Sequence, residues 1–252
     1  MPISGEQELI LHKEKFYSNR QWAIVLTPFE RQQLTLAENC RQLHVAIPHL
    51  TVMCALENIL LRKVSEPVRF FPRMDAENGA SGSWWRMVRH VFDEVRHCSQ
   101  IYQHVAFSRP LEMMLINGLL LSHANNYSEE LLRQRNAELP RYIVRVRAFI
   151  HDHARERIYL KDIEKIAGVS RAKLFGDFKQ YLNSSPMAYL KKFRLFSIRR
   201  EILSDTTSLD ITTIAMNWGV GHLGRFSSEY RKLFNEVPSC TLKHKIDALS
   251  KN

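Results

Sequence analysis

The sequence contains no apolar run approaching the roughly 20 residues that span a bilayer. Its first residues lack the basic-then-apolar pattern of a secretory signal. A soluble, cytoplasmic protein with no membrane partner is the expectation. Cysteine is scarce: Cys40, Cys54, Cys98 and Cys240 are scattered without a C-x-x-C pair, which points away from a zinc knuckle or disulfide framework and toward buried reduced thiols. Also missing are a nucleophile elbow, a phosphate-binding glycine loop, an H-E-x-x-H helix and a metal-spaced Cys/His cluster. The "HDH" at His151 to His153 sends its two rings to nearly opposite sides of a helix, which is unsuited to one metal ion. No catalytic residue, metal or cofactor is assigned. A triad gathered from distant positions would leave no such trace, so an enzyme with an unrecognised site stays an alternative.

What the chain does have is apolar content and localised charge. With 252 residues, 45% of them apolar, it can build one large domain or two small ones. The net charge of +10 is unevenly placed: residues from 140 onward carry 21 Lys+Arg against 11 Asp+Glu, and the rest balances at 15 against 15. A neutral part joined to a basic one suits a regulatory region attached to a nucleic-acid-binding domain; a merely solvated basic surface is the competing reading.

From Gln21 to Ile47 the short runs "WAIVL", "LTL" and "LHVAI" read as antiparallel strands. "HLTVMCALENILL" after Pro48 reads as a helix, and "VSEPVRFFPRMDAENGASGS" as irregular chain. Ser83 is placed to cap a helix carrying Trp84, Val88, Val91, Phe92 and Val95; a second helix is expected from Pro110, ending at "HANNYS". Trp84 and Trp85 either pack between these helices or line a pocket. The segment "SEELLRQRNAELP" leads to Pro140, after which the chain reads as helix throughout.

That last part contains an internal repeat. Leu174, Phe178, Tyr181, Leu182, Asn183, Pro186 and Leu190 recur 52 places later as Phe226, Tyr230, Leu233, Phe234, Asn235, Pro238 and Leu242. Upstream, Ile163, Gly168 and Val169 match Ile214, Gly219 and Val220 at an offset of 51, so the second turn holds one extra residue. Each copy reads as two helices around a glycine turn, closed by an Asn that tolerates left-handed geometry and followed by a Pro. Phe178, Tyr181, Tyr230 and Phe234 are expected in the core, because their spacing stacks them on one helix face. "SSPMAYLKKFRLFSIRREILS" would form a long helix holding the copies apart.

On the residues "LKDIEKIAGVSRAKLFGDFKQYLNSSP", "YLKKFRLFSIRREIL" and "ITTIAMNWGVGHLGRFSSEYRKLFNEVPS", the last hundred or so positions resemble the DNA-binding domain of AraC/XylS transcription regulators. "HLGRFSSEYRKLFNEVPSCTL" resembles the XylS-like branch, whose activators respond to benzoate-type aromatic acids. The resemblance implies an α+β protein: a short N-terminal β region, a partial cupin-like barrel, with paired helices, then an all-α C-terminal domain of two helix-turn-helix units joined by a long helix. The boundaries that follow are 1–126 for regulation and dimerisation, 127–139 for a linker and 140–247 for DNA binding.

The same resemblance implies a DNA interface. The first reading helix starts near Ser170 and presents Arg171, Ala172, Lys173, Phe175, Gly176 and Lys179; the second presents His222, Gly224, Arg225 and Ser228. Arg225 is expected to read a base edge, with a phosphate contact or a merely solvated side chain as the alternatives. Lys191, Lys192, Arg194, Arg199 and Arg200 are expected as phosphate contacts or exposed solubilising charges. This chain departs from the family at Val220, where Phe is common, and at Gly176, where the family often carries a base-reading Arg or Asn. Backbone approach or shape readout is expected there instead. Double-stranded DNA with two boxes about one helical turn apart is the implied partner. The family also implies RNA polymerase as a partner and activation of aromatic-acid catabolism. The paired helices offer either a homodimer face or an intrachain core. Only about 50 residues read as strand where a full barrel is normal, so a weak or absent response to aromatic acids is expected, from a naturally short chain or a start inside a longer reading frame. A helical protein-interaction module would explain the helices but not the repeated basic units.

Overall fold

The computed structural model describes residues 1–28, 30–136, 139–204 and 210–249. The chain divides into two compact units, one of Met1–Leu56 with Glu66–Leu132, the other of Glu57–Ser65 with the chain from Arg133 onward.

The first unit holds strands β1 (Pro2–Ser4), β2 (Gln7–Leu11), β3 (Glu14–Ser18), β4 (Trp22–Ile24), β5 (Gln32–Leu36), β6 (Arg41–Gln42) and β7 (Arg73–Asp75). They form three small antiparallel sheets, β1 with β6, β3-β2-β5, and β4 with β7, so the cupin-like barrel is not closed. β2 is central: Leu9 is fully buried and sits opposite Phe16 on one side and Leu34 on the other. The β2–β3 turn is the pair His12-Lys13, both at positive φ (48° and 72°). Two-residue hairpins need that geometry and usually signal it with Asn-Gly or Asp-Gly. The turn carries no such signal, so strands β1 to β3 lie ahead of the region expected as strand, which starts at Gln21. Of the expected strand "LHVAI", only Leu43 pairs, exchanging backbone hydrogen bonds of 2.9 Å with Met1; the other four residues lie outside any strand.

Helix α1 (His49–Leu60) follows Pro48 as expected. α2 (Gly79–His97) starts four residues before Ser83, with Asn78 at its N-cap position. The cause is the Asp75 carboxylate, which accepts the N–H groups of Glu77 and Asn78 at 2.9 Å and turns the chain early. After the short α3 (Gln100–Gln103), α4 (Val105–Ser122) begins ahead of Pro110, which lies inside it. The helix absorbs the lost N–H bond near its exposed start. α2 and α4 pack together: Trp84 Nε1 donates to the Leu115 carbonyl at 2.8 Å, and a Cβ on Gly118 would lie 3.0 Å from the Trp84 ring. Trp85 Nε1 meets Met74 Sδ at 3.2 Å. α5 (Ser128–Asn136) occupies most of the span expected as linker.

The second unit is helical: α6 (Arg141–Asp152), α7 (Leu160–Ala167), α8 (Arg171–Leu182), α9 (Pro186–Ser204), α10 (Ile211–Asn217), α11 (Leu223–Phe234) and α12 (Pro238–Leu249). The α7–α8 and α10–α11 pairs are the two expected helix-turn-helix units, and α9 is the expected connector. Gly168 and Gly219 turn at φ 64° and 70°, and Asn183 and Asn235 close α8 and α11 in the left-handed region at φ 44° and 56°. A single apolar cluster runs beneath both copies, including Ile163, Leu174, Phe178, Phe196, Ile214, Phe226, Tyr230 and Phe234. Burial on this scale stabilises each large side chain by about 2 kcal/mol. Tyr181 is a correction: it is 38% exposed. The buried i, i+4 row runs Leu174, Phe178, Leu182, and Tyr181 lies one position behind it.

Candidate nucleic-acid interface

α8, the helix expected to read the first box, begins where Ser170 caps it, its hydroxyl accepting the Lys173 N–H at 3.3 Å. With Leu174 and Phe178 turned into the core, Arg171, Ala172, Lys173, Gly176 and Lys179 are exposed and Phe175 is half-buried. The cations are not equally available. Arg171 Nε lies 3.0 Å from Glu164, and Lys173 lies 3.1 Å from Asp177. Asp177 also accepts the Tyr142 hydroxyl of α6, and the two contacts hold its carboxyl below the usual carboxylate range. Lys179 Nζ donates to Asn183 at 3.0 Å. A Cβ built on Gly176 meets nothing within 4 Å, so the glycine leaves open surface rather than relieving a clash.

α11 is built the same way. Phe226, Tyr230 and Phe234 are buried, while His222, Gly224, Arg225 and Ser228 are exposed. A groove of about 620 Å³ borders this helix, lined by His222 and Arg225 on one side and Lys191 and Arg194 of α9 on the other. Lys191 crosses it to Glu229 at 2.7 Å. Among the described residues Arg225 has neither an ion pair nor a hydrogen bond.

The remaining α9 cations divide. Arg194 donates to the carbonyls of Ala154, Glu156 and Gly219 at 2.7, 2.6 and 3.3 Å, and burial lowers its pKa. Its guanidinium fills the space a Cβ on Gly219 would take, at 2.9 Å. Arg199 is buried between Glu57 and Glu236. These two are structural, unlike the phosphate or solvent roles expected for them, because the helix turns them toward carbonyls and carboxylates of its own unit. Lys192 is half-buried in a groove with Tyr181, Leu182 and Asn183 at the end of α8.

The two histidines of "HDH" do diverge. His151 stacks on Phe193 with centroids 4.1 Å apart and bonds the Tyr189 hydroxyl at 2.9 Å, while His153 turns back to the Phe149 carbonyl. Burial, assisted by the Arg147 charge, lowers the His151 pKa to about 4. Among the described residues there is no group of three or more His, Cys, Asp or Glu able to hold a metal, and no helix long and apolar enough to cross a membrane.

The first unit contains a cavity of about 150 Å³ beside Trp84 and Trp85, with Leu26, Leu34, Leu43 and Leu119 in its wall. The tryptophans pack between α2 and α4, and they also border this cavity. Among the described residues, Gln7, Gln42 and His44 supply its polar side chains, and the Met1 ammonium also lies in its wall, donating to the Leu43 carbonyl at 2.9 Å.

Two units of this kind on one connector, each with a buried apolar stripe and an exposed basic or small-residue face, define a double helix-turn-helix DNA-binding protein. The comparisons agree: an AraC-binding-like domain model matches residues 1–121 and a helix-turn-helix domain model residues 163–244. The XylDLEGF operon transcriptional activator of Pseudomonas putida is 26% identical over 239 residues, covering 92% of this chain and 70% of the relative. XylDLEGF operon transcriptional activator 2 of the same organism is 34% identical over 107 residues, covering 42% of this chain and 68% of the relative. A probable AraC family transcriptional regulator from Rhodopseudomonas palustris aligns in structure with 27% identity and a TM-score of 0.40, covering 42% of this chain and 98% of that one. The chain belongs to the AraC/XylS family of transcription regulators. It is a DNA-binding regulator.

Proposed function

We propose that the chain is a promoter-binding activator that reads two boxes on one face of the duplex, about one helical turn or roughly 34 Å apart. The observation that carries this reading is the single apolar cluster beneath both reading helices, which presents two outward faces from one rigid body. Arg225 takes the base-reading role, with His222, Gly224 and Ser228 beside it, because its side chain is exposed and, among the described residues, makes no ion pair or hydrogen bond. Arg171, Lys173, Lys179 and Lys192 flank the first helix as phosphate contacts, and Ala172, Phe175 and Gly176 give a low surface for close approach.

Residues 1–126 supply regulation and dimerisation, 127–139 the link and 140–247 the DNA-binding part, acting in the cytoplasm. The homodimer face is assigned to α2 and α4, where Phe92, Val95, Val105, Phe107, Met114 and Leu121 stay exposed. Activation through RNA polymerase, and of genes for aromatic-acid catabolism, rests on resemblance to the XylDLEGF operon activators. The effector response is proposed to be weak for aromatic acids, since the strand region forms three small sheets and not a closed barrel.

Gel-shift titration of the full chain on its selected promoter duplex and on a scrambled duplex, at two salt concentrations, tests the reading. Tight binding to the selected duplex that weakens steeply with salt supports it. Equal, salt-insensitive affinity for both duplexes points instead to a protein-interaction module or an enzyme.

A further inference from the structure

Residues 57–65 are distant in sequence from both reading helices yet belong to the same compact unit. Glu57, on the last turn of α1, has a side chain 3% exposed and pairs with Arg199 of α9. It also accepts the Val64 N–H at 3.1 Å, which folds the segment back on itself, and it feels the Lys63 charge. Arg199 also holds Glu236 at 3.2 Å and covers the Phe234 ring at 5.0 Å. Glu236 in turn accepts the Thr241 hydroxyl at 2.9 Å, and Thr241 bonds the Tyr230 hydroxyl at 2.8 Å. Lys63 Nζ donates to the Phe234 carbonyl at 2.5 Å, meeting a C-terminal carbonyl of α11 with a cation. All of these contacts converge on the C-terminal end of the second reading helix.

The middle of the same segment faces the other copy. Ile59, Leu60, Leu61 and Arg62 line one groove of about 320 Å³ with Leu182 and Asn183, at the C-terminal end of α8. Leu61 has φ 48°, a left-handed conformation that a bulky residue keeps only when its surroundings hold it, and its side chain packs on the cluster shared by both copies. A buried ion pair, a capped helix end and a strained leucine in one short stretch are more than a passive connection needs.

We propose that Glu57–Ser65 is a brace across the C-terminal ends of both reading helices, which fixes the separation of their DNA-facing ends and so the box spacing the chain accepts. Glu57 and Lys63 act as positioning residues, through Arg199 and the Phe234 carbonyl. The proposal rests on the two-box reading above.

The test uses the full chain and a duplex recovered by in-vitro selection, with one or two base pairs inserted or removed between its boxes. Binding is read by fluorescence anisotropy and folding by thermal melting. Wild type is expected to lose about tenfold in affinity for a one-base-pair change. Lys63→Met and Glu57→Gln are expected to bind the selected spacing more weakly and to discriminate spacings by less than about threefold, with Lys63→Arg restoring the preference. Variants that stay folded and keep the wild-type preference overturn the brace. If Glu57→Gln does not fold at the assay temperature, Lys63→Met decides alone. If wild type itself accepts every spacing, the two-box reading falls and the brace with it.

Discussion

Lys191 of α9 and Glu229 of α11 lie 2.7 Å apart, and this pair settles what Glu229 does. Glu229 stands four residues after Arg225 on the same helix, the spacing at which a carboxylate could neutralise it. With Glu229 held by Lys191, Arg225 stays exposed and is not neutralised by that carboxylate.

Arg225→Ala is therefore expected to weaken the selected site by about 1 to 3 kcal/mol while leaving scrambled DNA nearly unchanged. Parallel titrations of both duplexes check it; equal losses on both would make Arg225 a phosphate anchor.

Lys179→Ala should act differently, lowering affinity for selected and scrambled duplexes alike and flattening the salt dependence by about one unit. Repeating the titration over a range of salt concentrations gives the slope directly.

Gly176→Ala separates stability from binding. Nothing lies within 4 Å of the added Cβ, so melting should show a gain of about 0.5 to 1 kcal/mol from helix propensity. If the open surface is where the backbone approaches DNA, the same variant binds its selected duplex more weakly. A stabilised variant with unchanged affinity would remove α8's close approach from the model of recognition.

His151 gives a pH signature. Its folded pKa, about 4, is below the ordinary 6.5, so the unfolded chain takes up the proton first as pH falls. Stability is fully present above about pH 6.5 and declines toward pH 4. The residue retains exposure despite its stacked ring, so screening reduces the loss to roughly 1 kcal/mol. His151→Phe should flatten that part of the stability–pH curve in denaturant titrations. An unchanged curve would assign the acid sensitivity elsewhere.

Leu121→Asp probes the first unit. The residue is 59% exposed on α4, so the monomer should fold normally while any dimer dissociates. Light scattering at tens of micromolar reads the outcome; a wild-type monomer would remove the dimer face altogether.

The second unit was legible because its information is local and repeated. Glycine, asparagine and proline recur at fixed offsets, and the structure turns each at the expected place. The stripe Phe226, Tyr230, Phe234 is buried as its spacing requires. Tyr181 does not follow the spacing argument, because it stands three residues after Phe178 and lies beside the buried row that Leu174 and Phe178 define. The first unit was less legible: its hairpin turn uses His12 and Lys13, residues that carry no turn signal. Nor could sequence show that Arg194 and Arg199 are turned inward, since their partners lie between 25 and 142 positions away. Glu57 left one trace, a lone carboxylate inside the apolar "HLTVMCALENILL", which only the fold explains.

The apolar cluster shared by the two copies also bears on how long the regulator stays on its site. If α8 and α11 each engage a box as proposed, their anchoring in the same core means that release of one would leave the other seated and the freed helix within reach of its own box. Rebinding then proceeds at the high effective concentration of a short, stiff tether instead of at the concentration of free protein. Residence time on a complete promoter should exceed what either box alone would support, and a competitor that occupies a single box should displace the protein slowly.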